Sequence, residues 1–85
     1  MIVGTQYSGS QDAATTVRYL TSNWPATWDV VWTVIPTSPG PGSPQLEWDV
    51  TVSRESDANI AYWIDVHNLT SIQIGIDLRF AIMNL

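Results

Sequence analysis

The side chains able to do polar chemistry are few. One histidine, His67, stands with three arginines, eight carboxylates, no lysine and no cysteine. That inventory leaves out a Schiff-base lysine, a thiol nucleophile, thiolate metal ligation and any zinc site that one chain builds from several histidines. A serine, His67 and an aspartate would form a hydrolytic triad only if something held the serine in place. Neither a Gly-x-Ser-x-Gly run nor a strand-turn-helix elbow is present to do so. His67 therefore reads as a solvent-facing residue near the end of a strand. Glu47 and Asp65 are the carboxylates that glycoside cleavage would have to use, but 85 residues offer little material for closing a cleft around them. Glu55, Asp57 and Asn59 lie close together without the spacing of a calcium loop. No enzymatic activity, metal or cofactor is expected.

The aromatic residues are better supplied: five tryptophans, three tyrosines and one phenylalanine. An indole face flanked by Asp, Asn, Thr and Gln is a common physical solution for a sugar ring, because the apolar C–H face stacks while the hydroxyls take hydrogen bonds. Trp28, Trp32 and Trp48 alternate in phase with Val and Leu and are assigned to the core. Trp24, in the sequence Asn23-Trp24-Pro25, and Trp63, on the polar face of its strand, remain available to a ligand. Asp29, Asp49, Asp65 and His67 become their polar neighbours if the outer faces of their strands form one surface.

Those positions are set by period-two alternation, which runs through the second half of the chain. Over residues 72–83 the apolar set Ile72, Ile74, Ile76, Leu78, Phe80 and Ile82 alternates with Gln73, Gly75, Asp77, Arg79, Ala81 and Met83. Residues 45–53 and 59–67 repeat the pattern, with Leu46, Trp48, Val50, Val52, Ile60, Tyr62, Ile64 and Val66 directed inward. Residues 27–35 are partly apolar on both faces, as a central strand covered on both sides would be. Residues 15–20 and 2–7 are β-branched and aromatic and read as two further strands. Breakers fall at 8–12, 22–26, 36–44, 54–58 and 68–71. Residues 36–44 hold four of the five prolines, which suits a stiff loop between strands. No helical stripe exceeds about two turns. The expected fold is a single all-β domain over 1–85, a small antiparallel sandwich or flattened barrel of about six strands.

Pairing follows from keeping apolar residues on one face. A hairpin at Asn68-Leu69-Thr70 sets Val66 against Ile72, Ile64 against Ile74 and Tyr62 against Ile76. It also sets Trp63 across from Gly75, where an indole can cover bare backbone. A five-residue turn over 54–58 sets Glu47 against Asp65 and Asp49 against Trp63; facing carboxylates repel unless a cation, a proton or a slipped register intervenes.

The net charge of −5 provides no cationic footprint for nucleic acid or anionic lipid. No signal-peptide pattern and no apolar run of about 20 residues is visible, so a soluble protein of open compartment is expected. Asn68-Leu69-Thr70 matches a glycosylation acceptor and is read as a coincidence. With no lysine to guard edge strands, and with Ala61, Gly75, Ala81 and Met83 on nominally polar faces, close approach of another copy is favoured. Homo-oligomer formation is expected. The leading functional expectation is a non-enzymatic β-module that self-associates and mediates binding or assembly. The alternative is a carbohydrate-binding, lectin-like module using Trp63 and Trp24. Small β-sandwiches of many unrelated functions share this strand pattern, so analogy from fold adds nothing to either.

Overall fold

A computed structural model describes residues 1–85, and its regular elements are six strands with no helix. They are β1 (Ile2–Gln11), β2 (Thr16–Pro25), β3 (Val30–Pro36), β4 (Leu46–Arg54), β5 (Asn59–Asn68) and β6 (Ile74–Ile82). Two antiparallel three-stranded sheets pack face to face, one in the order β1-β6-β3 and the other β2-β5-β4. The all-β antiparallel sandwich expected from the alternation is what forms. The sheets do not close into a barrel. No helix is long and apolar enough to cross a membrane.

The alternation in β5 and β6 places their even-numbered side chains between the sheets. Ile64, Val66, Ile74, Ile76 and Leu78 are almost wholly buried there and make the centre of the core, with Trp32, Val34 and Tyr62 around them. Burying such side chains contributes about 1.5–3 kcal/mol each, measured against an exposed reference.

Connectivity departs from the hairpin plan. Only β4 and β5 are neighbours both in sequence and in a sheet; every other connection passes from one sheet to the other. β5 and β6 are therefore stacked centres of opposite sheets and not a hairpin. The expected pairs Val66–Ile72, Ile64–Ile74 and Tyr62–Ile76 do not form, and Ile72 sits exposed in the crossover. Gly75 lies opposite Ser10, and Trp63 opposite Leu20 and Thr51. The segment expected to be a central strand is instead the edge strand β3, and its apolar outer residue Val31 is exposed.

Two bulges interrupt the N-terminal strands, which run on into the breaks expected at 8–12 and 22–26. In β1 the register shifts between Thr5 and Tyr7, and in β2 between Thr21 and Trp24. Asn23, at φ 65°, takes the left-handed conformation that Asn tolerates better than most residues. Each bulge adds a residue and reverses the alternation beyond it. Tyr7 and Trp24 are thereby turned onto the inner face. Inner-face glycines make room for rings: a Cβ on Gly4 would lie 2.6 Å from the Phe80 ring, and one on Gly9 would collide with Tyr7. Glycine backbone is thus covered by an aromatic ring, but by Phe80 and Tyr7, not by Trp63 over Gly75.

One end of the sandwich is closed by two buried amides. Asn68 Nδ2 donates to the carbonyls of Gln11 (3.1 Å), Asp12 (3.0 Å) and Ile72 (2.9 Å). Its Oδ1 accepts from the Thr70 amide (2.9 Å) and hydroxyl (2.7 Å). Gln11 Nε2 donates to the Thr15 and Val66 carbonyls. These bonds hold together both crossovers at that end, β1 to β2 and β5 to β6. They also give the Asn68-Leu69-Thr70 tripeptide a structural reason unconnected with glycosylation, since Asn68 is only 3% exposed. Asn68→Ala would leave several of these groups without partners, at a cost of about 1–3 kcal/mol for each one that stays buried. The expected loss is about 3 kcal/mol in urea unfolding, whereas Leu69→Ala, at an exposed neighbour, should stay within about 0.5 kcal/mol.

Candidate functional site

The largest gathering of polar chemistry is the outer face of the β2-β5-β4 sheet. Odd-numbered residues of β4 and β5 point there, joined by even-numbered residues of β2 that precede its bulge. Register aligns them in cross-strand rows: Thr16, His67 and Glu47; Arg18, Asp65 and Asp49; Leu20, Trp63 and Thr51.

The β4–β5 register is displaced by two residues in sum from the expected one. Arg54 pairs with Ile60, so the turn starts at Glu55 and Glu47 faces His67, while Asp49 faces Asp65. The turn is braced from within. Arg54 Nε and Nη2 donate to the Ser56 and Asp57 carbonyls, and Ser56 Oγ accepts from the Ala58 and Asn59 amides. Carboxylates still face each other across the strands, but the pair is Asp49 with Asp65 in place of Glu47 with Asp65.

That pair is offset from both sides. Arg18 grips Asp65 in a two-pronged ion pair, Nε to Oδ1 at 2.7 Å and Nη2 to Oδ2 at 3.0 Å, a geometry that suits the planar guanidinium. The bond from Arg18 holds the Asp65 carboxyl below the ordinary carboxylate range, against the opposing pull of desolvation. On the other side His67 Nε2 lies 3.1 Å from Asp49 Oδ2, and His67 Nδ1 lies 2.8 Å from Thr16 Oγ1. With its proton on Nε2 the imidazole donates to Asp49 and accepts from the Thr16 hydroxyl. Ligand atoms of Glu47, Asp49 and His67 fall within 4.8 Å of one another. One imidazole and two carboxylates are donors that divalent cations of mixed nitrogen and oxygen preference take, with water completing the shell.

Of the residues singled out from sequence, Trp63, Asp65, Asp49 and His67 share this surface. Trp63 is half-buried between Leu20 and Thr51. Trp24 is elsewhere: it packs against Trp28, Trp32, Tyr62 and Phe80 inside the sandwich, and its Nε1 donates to Thr21 Oγ1. Asp29 sits before β3, its amide bonded to Asn84 Oδ1 and its carbonyl to the Met83 amide. Gly75 lies in the other sheet, beneath Thr37. Arg18 and Thr16 were missed; their alternation was readable, but nothing local to residues 15–20 shows which strand they lie beside. On the outer face of the β1-β6-β3 sheet, Val3, Val31, Thr5, Thr33, Arg79 and Ala81 border a groove of about 410 Å3.

Comparison with family models, with curated proteins and with solved structures gives no match.

The electrostatics make an acid-side expectation. Asp65 and Asp77, the latter bonded by Ser8 and Arg79, both titrate below the ordinary carboxylate value. Their stabilisation is present above the unfolded carboxylate pKa and is lost as pH falls through the folded one. Melting temperature should therefore fall on acidification through and below the ordinary carboxylate range. In Arg18→Gln the Asp65 share of that slope should shrink, because the bond that contributes most to lowering its carboxyl is gone. The same variant should melt lower than the parent at neutral pH, where Asp49 and Asp65 then face each other without the guanidinium. Thermal scans across pH check both.

Proposed function

We propose that this chain is a non-enzymatic β-module that works by self-association, with the free edge of β4 as its contact. The single observation behind this reading is that β4 is the one edge strand left unguarded. β1 and β2 each carry a bulge, and β3 has seven residues and ends on Pro36, features that blunt an edge against pairing. β4 has nine residues with neither a bulge nor a proline; its carboxylates Glu47 and Asp49 stand on the outer face, and Arg54 at its end is bonded into the turn.

Its inner stripe is also incompletely covered. Trp48, Val50 and Val52 face the core side, opposite Val66, Ile64 and Tyr62, yet stay 36%, 38% and 58% exposed. An apolar row beside a row of free backbone groups suits another strand in the same sheet. The non-enzymatic reading rests on the short inventory of reactive groups and on the engagement of the one histidine with Asp49 and Thr16.

A second reading, a carbohydrate-binding surface, is favoured by Trp63 lying between Leu20 and Thr51 with Asp65 next to it. It no longer draws on Trp24, and Trp63→Ala should abolish any signal on a glycan array.

For the leading reading, light scattering of the wild-type chain at high micromolar concentration should give a mass above the 9.4 kDa of one chain. Val50→Lys should return the chain to the monomer mass with an unchanged circular dichroism spectrum. A wild-type chain that is strictly monomeric at that concentration removes the reading.

A further inference from the structure

The geometry points to a specific complex: we propose that β4 pairs antiparallel with β4 of a second copy, about a two-fold axis through Val50, joining two three-stranded sheets into one of six. The assignment rests on the self-association reading and adds the partner, the symmetry and the register.

The free backbone groups come first. Just beyond the two ends of β4, the Glu55 amide bonds the Asn59 carbonyl and the Leu69 amide bonds the Gln45 carbonyl. Odd-numbered residues thus direct their amides and carbonyls at β5. By the alternation of an antiparallel ladder, Leu46, Trp48, Val50, Val52 and Arg54 direct theirs at the open edge. An axis perpendicular to the sheet keeps inner faces together, so it must pass through a residue, and Asp49, Val50 and Thr51 are the central choices.

Val50 is the midpoint of Leu46–Arg54. An axis there pairs Leu46 with Arg54, Trp48 with Val52 and Val50 with its own copy, so every edge-directed group of the strand finds a partner. Moving the axis to Asp49 sets Arg54 against Pro44, which has no amide to donate. Moving it to Thr51 sets Leu46 against Ser56, which lies in the turn beyond β4 and is bonded within it.

Side chains select the same register. About Val50, the Asp49 carboxylate meets the Thr51 hydroxyl of the other copy, a donor that a carboxylate can use, and Glu47 meets Ser53, whose hydroxyl donates to Glu55 within its own chain. About Asp49, two copies of that carboxylate would face each other on the axis, which is destabilising. About Thr51, Trp48 would face Arg54 and the apolar row would be broken. On the inner side the Val50 register lays Trp48, Val50 and Val52 against Val52, Val50 and Trp48. Each copy then covers about 200 Å2 of apolar side chain. The two copies together cover about 400 Å2 of apolar side chain, to which the backbone ladder adds, a small contact below the roughly 1,000 Å2 of a tight specific complex and one that forms at high micromolar concentration. β3 lies over β4, so the same axis brings the two β3 edges towards each other as a second layer.

The chain has no cysteine, which makes the register directly readable. In the proposed complex Asp49 and Thr51 of different copies form a non-hydrogen-bonded pair, with Cα atoms about 4.5 Å apart, within reach of a disulfide. Identical positions are offset by two residues along the strand and lie roughly 8–9 Å apart, beyond that reach. Asp49→Cys and Thr51→Cys proteins, oxidised with copper phenanthroline, should form no covalent dimer separately and a mixed dimer when combined. Glu47→Cys combined with Ser53→Cys repeats the measurement one pair along, should either first variant misfold. Sedimentation of the unmodified chain is run beside them. A sedimenting dimer in which Asp49→Cys alone or Thr51→Cys alone cross-links overturns the register and leaves self-association standing. A sedimenting dimer that no variant cross-links overturns the use of this edge. A monomer throughout overturns both readings.

Discussion

The crossover that divides the two central strands between the sheets is held by the amide of Asn68. A side chain that donates to Gln11, Asp12 and Ile72 and accepts twice from Thr70 fixes where the chain goes after β5. It must leave the sheet it has just completed and cross to the other. Had residues 69–73 formed a hairpin, β6 would have taken a place beside β5, and one sheet would have held the most apolar strands side by side with nothing comparable to bury them. Sending them to opposite sheets stacks Ile64 and Val66 over Ile74, Ile76 and Leu78. Core formation and crossover are thus the same event. The buried amide is tolerated because its hydrogen-bonding capacity is so fully used.

This constraint also divides what was readable in the sequence from what was not. Alternation is a local property of a strand, so the inward set of β5 and β6 and the six-strand count followed from residue types alone. Pairing is not local. Two consecutive alternating strands satisfy a hairpin and a stacked crossover equally well, since both keep even residues inside; hence Gly75 was set beside Trp63 and lies in the other sheet. The signal for the crossover was present in Asn68-Leu69-Thr70, but it looked like a turn and a glycosylation acceptor. Only the carbonyls of Gln11 and Asp12, far away in sequence, give it its meaning.

Bulges hide a further part of the plan. Asn23-Trp24-Pro25 reads as a break between strands, whereas the residue added near Asn23 lets β2 run on to Pro25 with Trp24 turned inward. Asn at a left-handed position is the trace such a bulge leaves, but a trace this faint also fits an ordinary turn. The polar surface suffered less. Asp49, Asp65, His67 and Trp63 share one face because β4 and β5 form a hairpin, and a two-residue displacement preserves faces while changing partners; Trp24 and Asp29 lie elsewhere. Arg18, which neutralises Asp65, entered from β2, and no feature of residues 15–20 indicates that neighbour.

The same logic gives the edge strand its significance. Leu46, Trp48, Val50 and Val52 alternate as cleanly as the core strands, and from pattern alone β4 is indistinguishable from β5. In the fold β5 has a strand on each side and a sheet beneath it, whereas β4 has one neighbour and partial cover, so an equal apolar stripe is left partly in water. A strand whose composition matches a fully paired environment, placed where only half the pairing exists, has unspent interaction in both its backbone and its side chains. β1, β2 and β3 each carry a bulge or a terminal proline at their free edges. The contrast leaves β4 the one edge with neither device, and under the proposed pairing its outward carboxylates limit how two such strands can align.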